Sequence, residues 1–197
     1  MRVILVILAI LLSGCTTIKP PVAEYNIALK DIKINGSSSA CQDKSLKILK
    51  AFSSNSLNSV KMDYVDSSGR VYSYSQSQWQ ESPSDIVTSL LLENIRDSKI
   101  FSTLHPSKSR VKSDFILETN IEKFMQFYSS DMKASHVEVT LSLSLIDAKT
   151  NSVVASKTST SQVNTTTVDA NGGVKAFETA LLEIVSKNIE WLNGVCR

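Results

Sequence analysis

Cysteine, histidine and serine are the side chains here that could do chemistry: three Cys, two His and many Ser in 197 residues. His105 stands directly before Pro106 in the loop-like "HPSKS", and His136 opens the alternating run "HVEVTLSLSLID". No G-x-S-x-G elbow accompanies either histidine. A nucleophile triad is a matter of geometry, and no serine here has a recognisable activating base. Cys-x-x-Cys spacing is absent, and the Asp and Glu residues show no metal-ligand pattern, which argues against a metal site or a redox centre. There is no Walker-type phosphate loop. The residues therefore predict a chain that is not an enzyme and holds no cofactor and no metal.

Cys15 calls for a different chemistry. Arg2 gives the start a positive charge, and Val3 to Leu12 form an uncharged apolar run of ten residues. A helix needs about 20 apolar residues to span a bilayer, so this run fits the core of a signal peptide better than an anchor. It ends in Leu12-Ser13-Gly14-Cys15, which resembles the bacterial lipobox. That resemblance implies cleavage before Cys15 and acylation of its thiol and new amino group. More than one acyl chain suffices for lasting attachment. The alternative is an ordinary signal peptide with a chance cysteine. Thr16 follows where lipoproteins retained in the inner membrane commonly carry Asp, so the resemblance implies the periplasmic face of the outer membrane.

The chain then divides into a signal peptide (1–14), a lipidated Cys and tether (15–22), and a single periplasmic domain (23–197). Pro20-Pro21 favours an extended tether. If Cys15 is lipidated, Cys41 and Cys196 remain, and in an oxidising compartment an even pair suggests one disulfide. Two free or buried thiols are the alternative. The formal net charge of +2, with no basic block, argues against nucleic acid as a partner.

Several elements must position these residues. "AEYNIALKDIKI" (23–34) and "SLKILKAF" (45–52) alternate like half-buried strands. "VKMDYV-DSSG-RVYSYSQSQW" predicts a hairpin. Ser82, Pro83 and Asp85 form a helix start, and Ile86, Val87, Leu90, Leu91 and Ile95 carry helical spacing to about Asp97. "IFSTL" reads as a short strand and "HPSKS" as a loop. Two long alternating strands follow from Phe115 and from His136, then a polar, Thr-rich strand after "AKTN". Val174, Phe177, Leu181, Ile184, Val185, Ile189 and Leu192 mark a final helix. The expected fold class is α+β: a two-layer domain with a mainly antiparallel sheet and two amphipathic helices packed on one face.

Two features could meet a partner. Tyr72, Tyr74 and Trp79 cluster before the first helix, and Leu90 and Leu91 widen its apolar face. They could contact a partner protein or an acyl chain, or they could simply be core. The polar strand near Ser156–Thr167 could pair with a second copy of the chain, or could be a solvated outer hairpin blunted by Lys157.

Taken in order, the lipobox, "EYNIAL", "QWQESPSDIVTSLLLENIRDSKIFSTL", "DFILETNIEKF", "VTLSLSLIDAKTNSVV" and the closing helix resemble the ABC-type transport auxiliary lipoprotein family (PqiC/YmbA-like). The family's Trp, Pro and "xxLxxxL" pattern falls on Trp79, Pro83, Ile86 and Leu90, although "QESP" replaces the usual Ala-Glu-Pro. The resemblance implies an outer-membrane lipoprotein beside an ABC transporter and MCE-domain proteins, in a system that moves phospholipid between membranes. A homo-oligomer is a further possibility. The competing reading is a structural or assembly lipoprotein of another envelope complex (lipopolysaccharide export, cell wall or secretion), with no transport role.

Overall fold

The computed structural model describes residues 20–29 and 41–196. Cys15, most of the tether and the second half of the expected first strand lie outside them. In chain order the elements are β1 (Ala23–Tyr25), β2 (Ser45–Ile48), a 3-10 turn (Asn55–Asn58), β3 (Lys61–Val65), β4 (Val71–Trp79), α1 (Pro83–Ser98), β5 (Thr103–Pro106), β6 (Phe115–Tyr128), β7 (Ser135–Asp147), β8 (Ser152–Asn164) and α2 (Ala170–Val195).

β6 organises a mixed, open sheet of eight strands. One edge of β6 pairs antiparallel with β7 along its whole length. Its other edge is shared by two short strands. β2 runs parallel to its first residues and β3 runs parallel to its last, with Phe52 bridging to Asn120 between them. β5 and β1 also pair in parallel, with β2 and β4 respectively. Parallel pairs thus stand beside the antiparallel ones, and the expectation of a mainly antiparallel sheet gives way to a mixed one. Alternation reports which face a side chain takes and is silent on strand direction. Two shorter expectations also shift. Among the described residues at the start, strand structure covers Ala23–Tyr25, although Ile27 is buried and Leu29 packs on the core. The strand expected over "IFSTL" begins at Thr103 and runs into His105-Pro106, because Ile100 and Phe101 are buried in the connection that precedes it.

The apolar pattern sets the core. Val137, Val139, Leu141, Leu143 and Leu145 of β7 are fully buried. On β6, Leu117 and Ile121 face the same way, and the register then slips between Ile121 and Lys123. The extra residue is a β-bulge, and it returns Phe124, Gln126 and Tyr128 to the inner face. β8 looks too polar for a strand beside a core, but its inner row is hydrogen-bonded to α2. Lys157 Nζ donates to Lys187 O at 2.9 Å, Ser159 Oγ to Asn188 Oδ1 at 3.1 Å, and Ser161 Oγ to Glu183 Oε2 at 2.7 Å. Its outer row forms a hydroxyl ladder with β7: Thr140 with Thr160, Ser142 with Thr158 and Ser144 with Ser156.

Local signals start both helices. Ser82 accepts from the Asp85 N–H and donates to its carboxylate at 2.5 Å, and Pro83 occupies the first turn, where a missing N–H costs nothing. Lys50 adds an ion pair to Asp85 at 2.7 Å. For α2, the Asp169 carboxylate accepts from Gly172 N at 2.7 Å. α2 lies against β7 and β8, while α1 touches α2, β2 and β5. Cys196, at the end of α2, is joined to Cys41 by a disulfide spanning 155 positions.

Candidate partner-docking site

The β3–β4 hairpin folds around Asp66. Its carboxylate accepts from the backbone N–H of Ser68 and Arg70, from Ser68 Oγ at 2.6 Å and from Arg70 Nε. Gly69, at φ 82°, supplies the left-handed residue the turn needs. The Ser68 hydroxyl, the backbone donors and the Arg70 guanidinium hold the Asp66 carboxyl far below the usual carboxylate range. This turn brings Tyr64 opposite Tyr72 in register.

Four tyrosines then form one cluster. The Tyr64 ring lies 5.5 Å from Tyr72, 4.8 Å from Tyr74 and 5.1 Å from Tyr128, centroid to centroid, distances at which aromatic pairs attract. Beneath them Tyr74 Oη donates to Gln126 Oε1 at 3.1 Å and lies 2.5 Å from Tyr128 Oη. With the Tyr74 hydrogen on Gln126, Tyr128 supplies the hydrogen of that second contact. Gln126 Nε2 in turn donates to Ser135 Oγ at 2.9 Å and points at Asp169 O. Burial pushes both phenols up from their ordinary values, so they stay neutral and act only through hydrogen bonds.

The cluster reaches the surface at one end. Tyr72 is 38% exposed and neighbouring Val71 60% exposed. Arg70 lies 5.7 Å above the Tyr72 ring, and Tyr72 Oη reaches Asp66. Tyrosine and arginine on a rigid hairpin are the residue types that dominate protein–protein contacts.

Of the residues singled out from sequence, Tyr72 and Tyr74 belong to this cluster. Trp79 does not share its exposure. It is 2% exposed and packs edge-on against Phe124 and Phe177, whose rings stack at 4.2 Å. Leu91 is fully buried and Leu90 nearly so, Leu90 lining a cleft of about 330 Å³ with Asn26–Leu29 and Glu93. Trp79, Leu90 and Leu91 belong to the hydrophobic core. Sequence reading missed Tyr64, Gln126 and Tyr128. Tyr64 could have been found from its mirror position to Tyr72 across "DSSG", whereas Gln126 and Tyr128 lie over 50 positions from Tyr74 and carry no local signal.

Among the described residues, no group of three or more His, Cys, Asp or Glu could hold a metal ion, and no helix is long and apolar enough to cross a membrane.

No family model matches the chain, and no curated protein does. Solved structures do. Protein XCC0632 from Xanthomonas campestris, of the DUF330 family, superimposes with a TM-score of 0.76 over 89% of this chain and 96% of its own, at 16% identity. The two chains share one fold. A second, uncharacterized protein matches with a TM-score of 0.62 at 11% identity, over 89% of this chain and 98% of its own. At these identities the likeness concerns the fold alone.

Proposed function

We propose that this chain is a non-enzymatic lipoprotein of the outer membrane, facing the periplasm, that serves as an auxiliary component of an MCE/ABC-linked system moving phospholipid between membranes. Acyl chains on Cys15 fix it to the bilayer, the Pro20-Pro21 tether sets its standoff, and the domain docks on an MCE-domain partner through Tyr72, Val71 and Arg70. The observation that carries the reading is the near full-length match in fold to a DUF330-family protein. It is joined by the lipobox and by the ordered motifs that resemble the transport auxiliary lipoproteins. Among the described residues β8 pairs only with β7, and its open edge supports self-assembly into a homo-oligomer at the end of the partner's channel.

The experiment is a crosslinked capture from intact envelopes with a C-terminal tag, the partners being identified by mass spectrometry. Recovery of an MCE-domain protein or of ABC subunits, lost in Tyr72→Ala, supports the reading. Recovery of only barrel, cell-wall or secretion proteins replaces it with an assembly role.

A further inference from the structure

On the sheet face turned away from the core, Lys47, Lys112, Ser113, Ile116, Ala148 and Lys149 line a cavity of about 460 Å³. Lys47 stands beside Ile116 in the β2–β6 register. Lys112 and Ser113 lead into β6, and Ala148 and Lys149 follow β7, the two segments being tied by Ala148 N donating to Asp114 O at 2.9 Å. The cavity is therefore built by three separate stretches of chain held in place by the sheet.

Its three lysines outnumber the two carboxylates beside them, of which Asp147 interacts with Lys149. Among the described residues, none of the three lysines forms a salt bridge. Lys47 Nζ donates to Ser109 O at 3.1 Å and keeps further hydrogens to offer. Two carboxylates stand nearby, and both are engaged. Asp114 accepts from Ser45 N and Oγ, and Asp147 from the backbone N–H of Lys149 and Thr150. Ser113 completes the wall between Lys112 and Ile116, its Oγ buried. Apolar surface adjoins these donors: Ile116 pairs across the sheet with Ile146, and Ile146 with Val153, which is 59% exposed.

We propose that this cavity binds a phosphate group, Lys47, Lys112 and Lys149 supplying the charge and the hydrogen-bond donors. Phosphate is an anion whose several oxygens can take all three ammonium groups at once. The strip of Ile116, Ile146 and Val153 fits an alkyl chain continuing from it, as in an anionic phospholipid, and free phosphate is the other source of the same chemistry. The inference stands on the cavity alone and is independent of the transport reading.

The test is calorimetric titration of the full chain, purified in a neutral maltoside detergent, with dihexanoyl phosphatidylglycerol and separately with inorganic phosphate. The combined Lys47→Gln, Lys112→Gln and Lys149→Gln variant should bind on the order of a hundredfold more weakly, since each lysine near an anionic lipid contributes comparably. A control variant with equal charge loss, Lys61→Gln, Lys133→Gln and Lys175→Gln, should bind within about twofold of wild type, because none of its positions lines the cavity. Lysine-dependent binding of the phospholipid but not of phosphate supports the site with a lipid as its ligand, and the reverse supports it with a free anion. If neither probe binds, if the cavity variant binds as wild type does, or if the control loses as much, the proposal fails.

Discussion

Gly173 lies so close to Gln126 that a Cβ on it would stand 2.3 Å from Gln126 Oε1. Gln126 is 1% exposed and joins Tyr74 to Ser135, so the first turn of α2 and the tyrosine cluster share one fitted contact. Gly173→Ala gains about 1 kcal/mol in helix propensity. It also displaces a buried amide, and each polar group orphaned costs about 1–3 kcal/mol. The variant should therefore melt several degrees lower. In a Gln126→Ala background the same substitution should stabilise by up to about 1 kcal/mol, a coupling that a double-mutant cycle reads directly.

Trp79 and Tyr72 sit on one strand with opposite consequences. Trp79→Ala empties the space beside the Phe124–Phe177 stack and should cost about 3–5 kcal/mol in a denaturant titration. Tyr72→Ala removes a partly exposed ring and should cost about 1 kcal/mol or less. It should still abolish partner capture. A Tyr72→Ala protein that folds and captures its partner normally would remove the hairpin from the docking surface.

The Cys41–Cys196 link closes nearly the whole domain. By loop-closure entropy, a ring of that length stabilises by about 5 kcal/mol. Replacing both cysteines with serine should lower the denaturant midpoint accordingly. A reductant should do the same to the wild-type protein and nothing to the double variant.

Asp169 makes α2 sensitive to acid. The Gly172 N–H and the Thr167 hydroxyl hold its carboxyl below the ordinary value of 3.8. The unfolded chain therefore takes up this proton more readily than the folded one, so the stabilisation is full above pH 4 and is lost as pH falls through the lowered folded value. Asparagine caps about as well as aspartate and does not titrate. Asp169→Asn should match wild type near neutrality and lose less stability between pH 4 and 2. Asp169→Ala should lose about 1 kcal/mol at every pH above that window.

What the sequence made readable was whatever repeats over short distances. Ser82, Pro83 and Asp85 marked the start of α1 because a cap is satisfied within a single turn. The alternation of β7 named its five buried apolar residues because neighbouring side chains must take opposite faces. What stayed hidden was non-local. Nothing in "SLKI" or "KMDYV" tells that both strands would share one edge of β6 in parallel. The bulge after Ile121 is a relation between two strands, so the inward turn of Phe124 could not be read from β6 alone. The docking cluster was half visible for the same reason: Tyr72 and Tyr74 are local to the hairpin, while Gln126 and Tyr128 reach it only through the sheet.

The cross-link between Cys41 and Cys196 also decides how the domain carries tension. Released, the 155 positions between them could stretch to roughly 500 Å at about 3.3 Å each. With the sulfurs joined, a pull between the membrane side of the chain and its C-terminal end passes through a covalent bond instead of through strand pairing. Only residues before Cys41 can be drawn out. Under such a pull the chain would yield by a fixed, short length that includes β1, and the strands from β2 to β8 would hold under load.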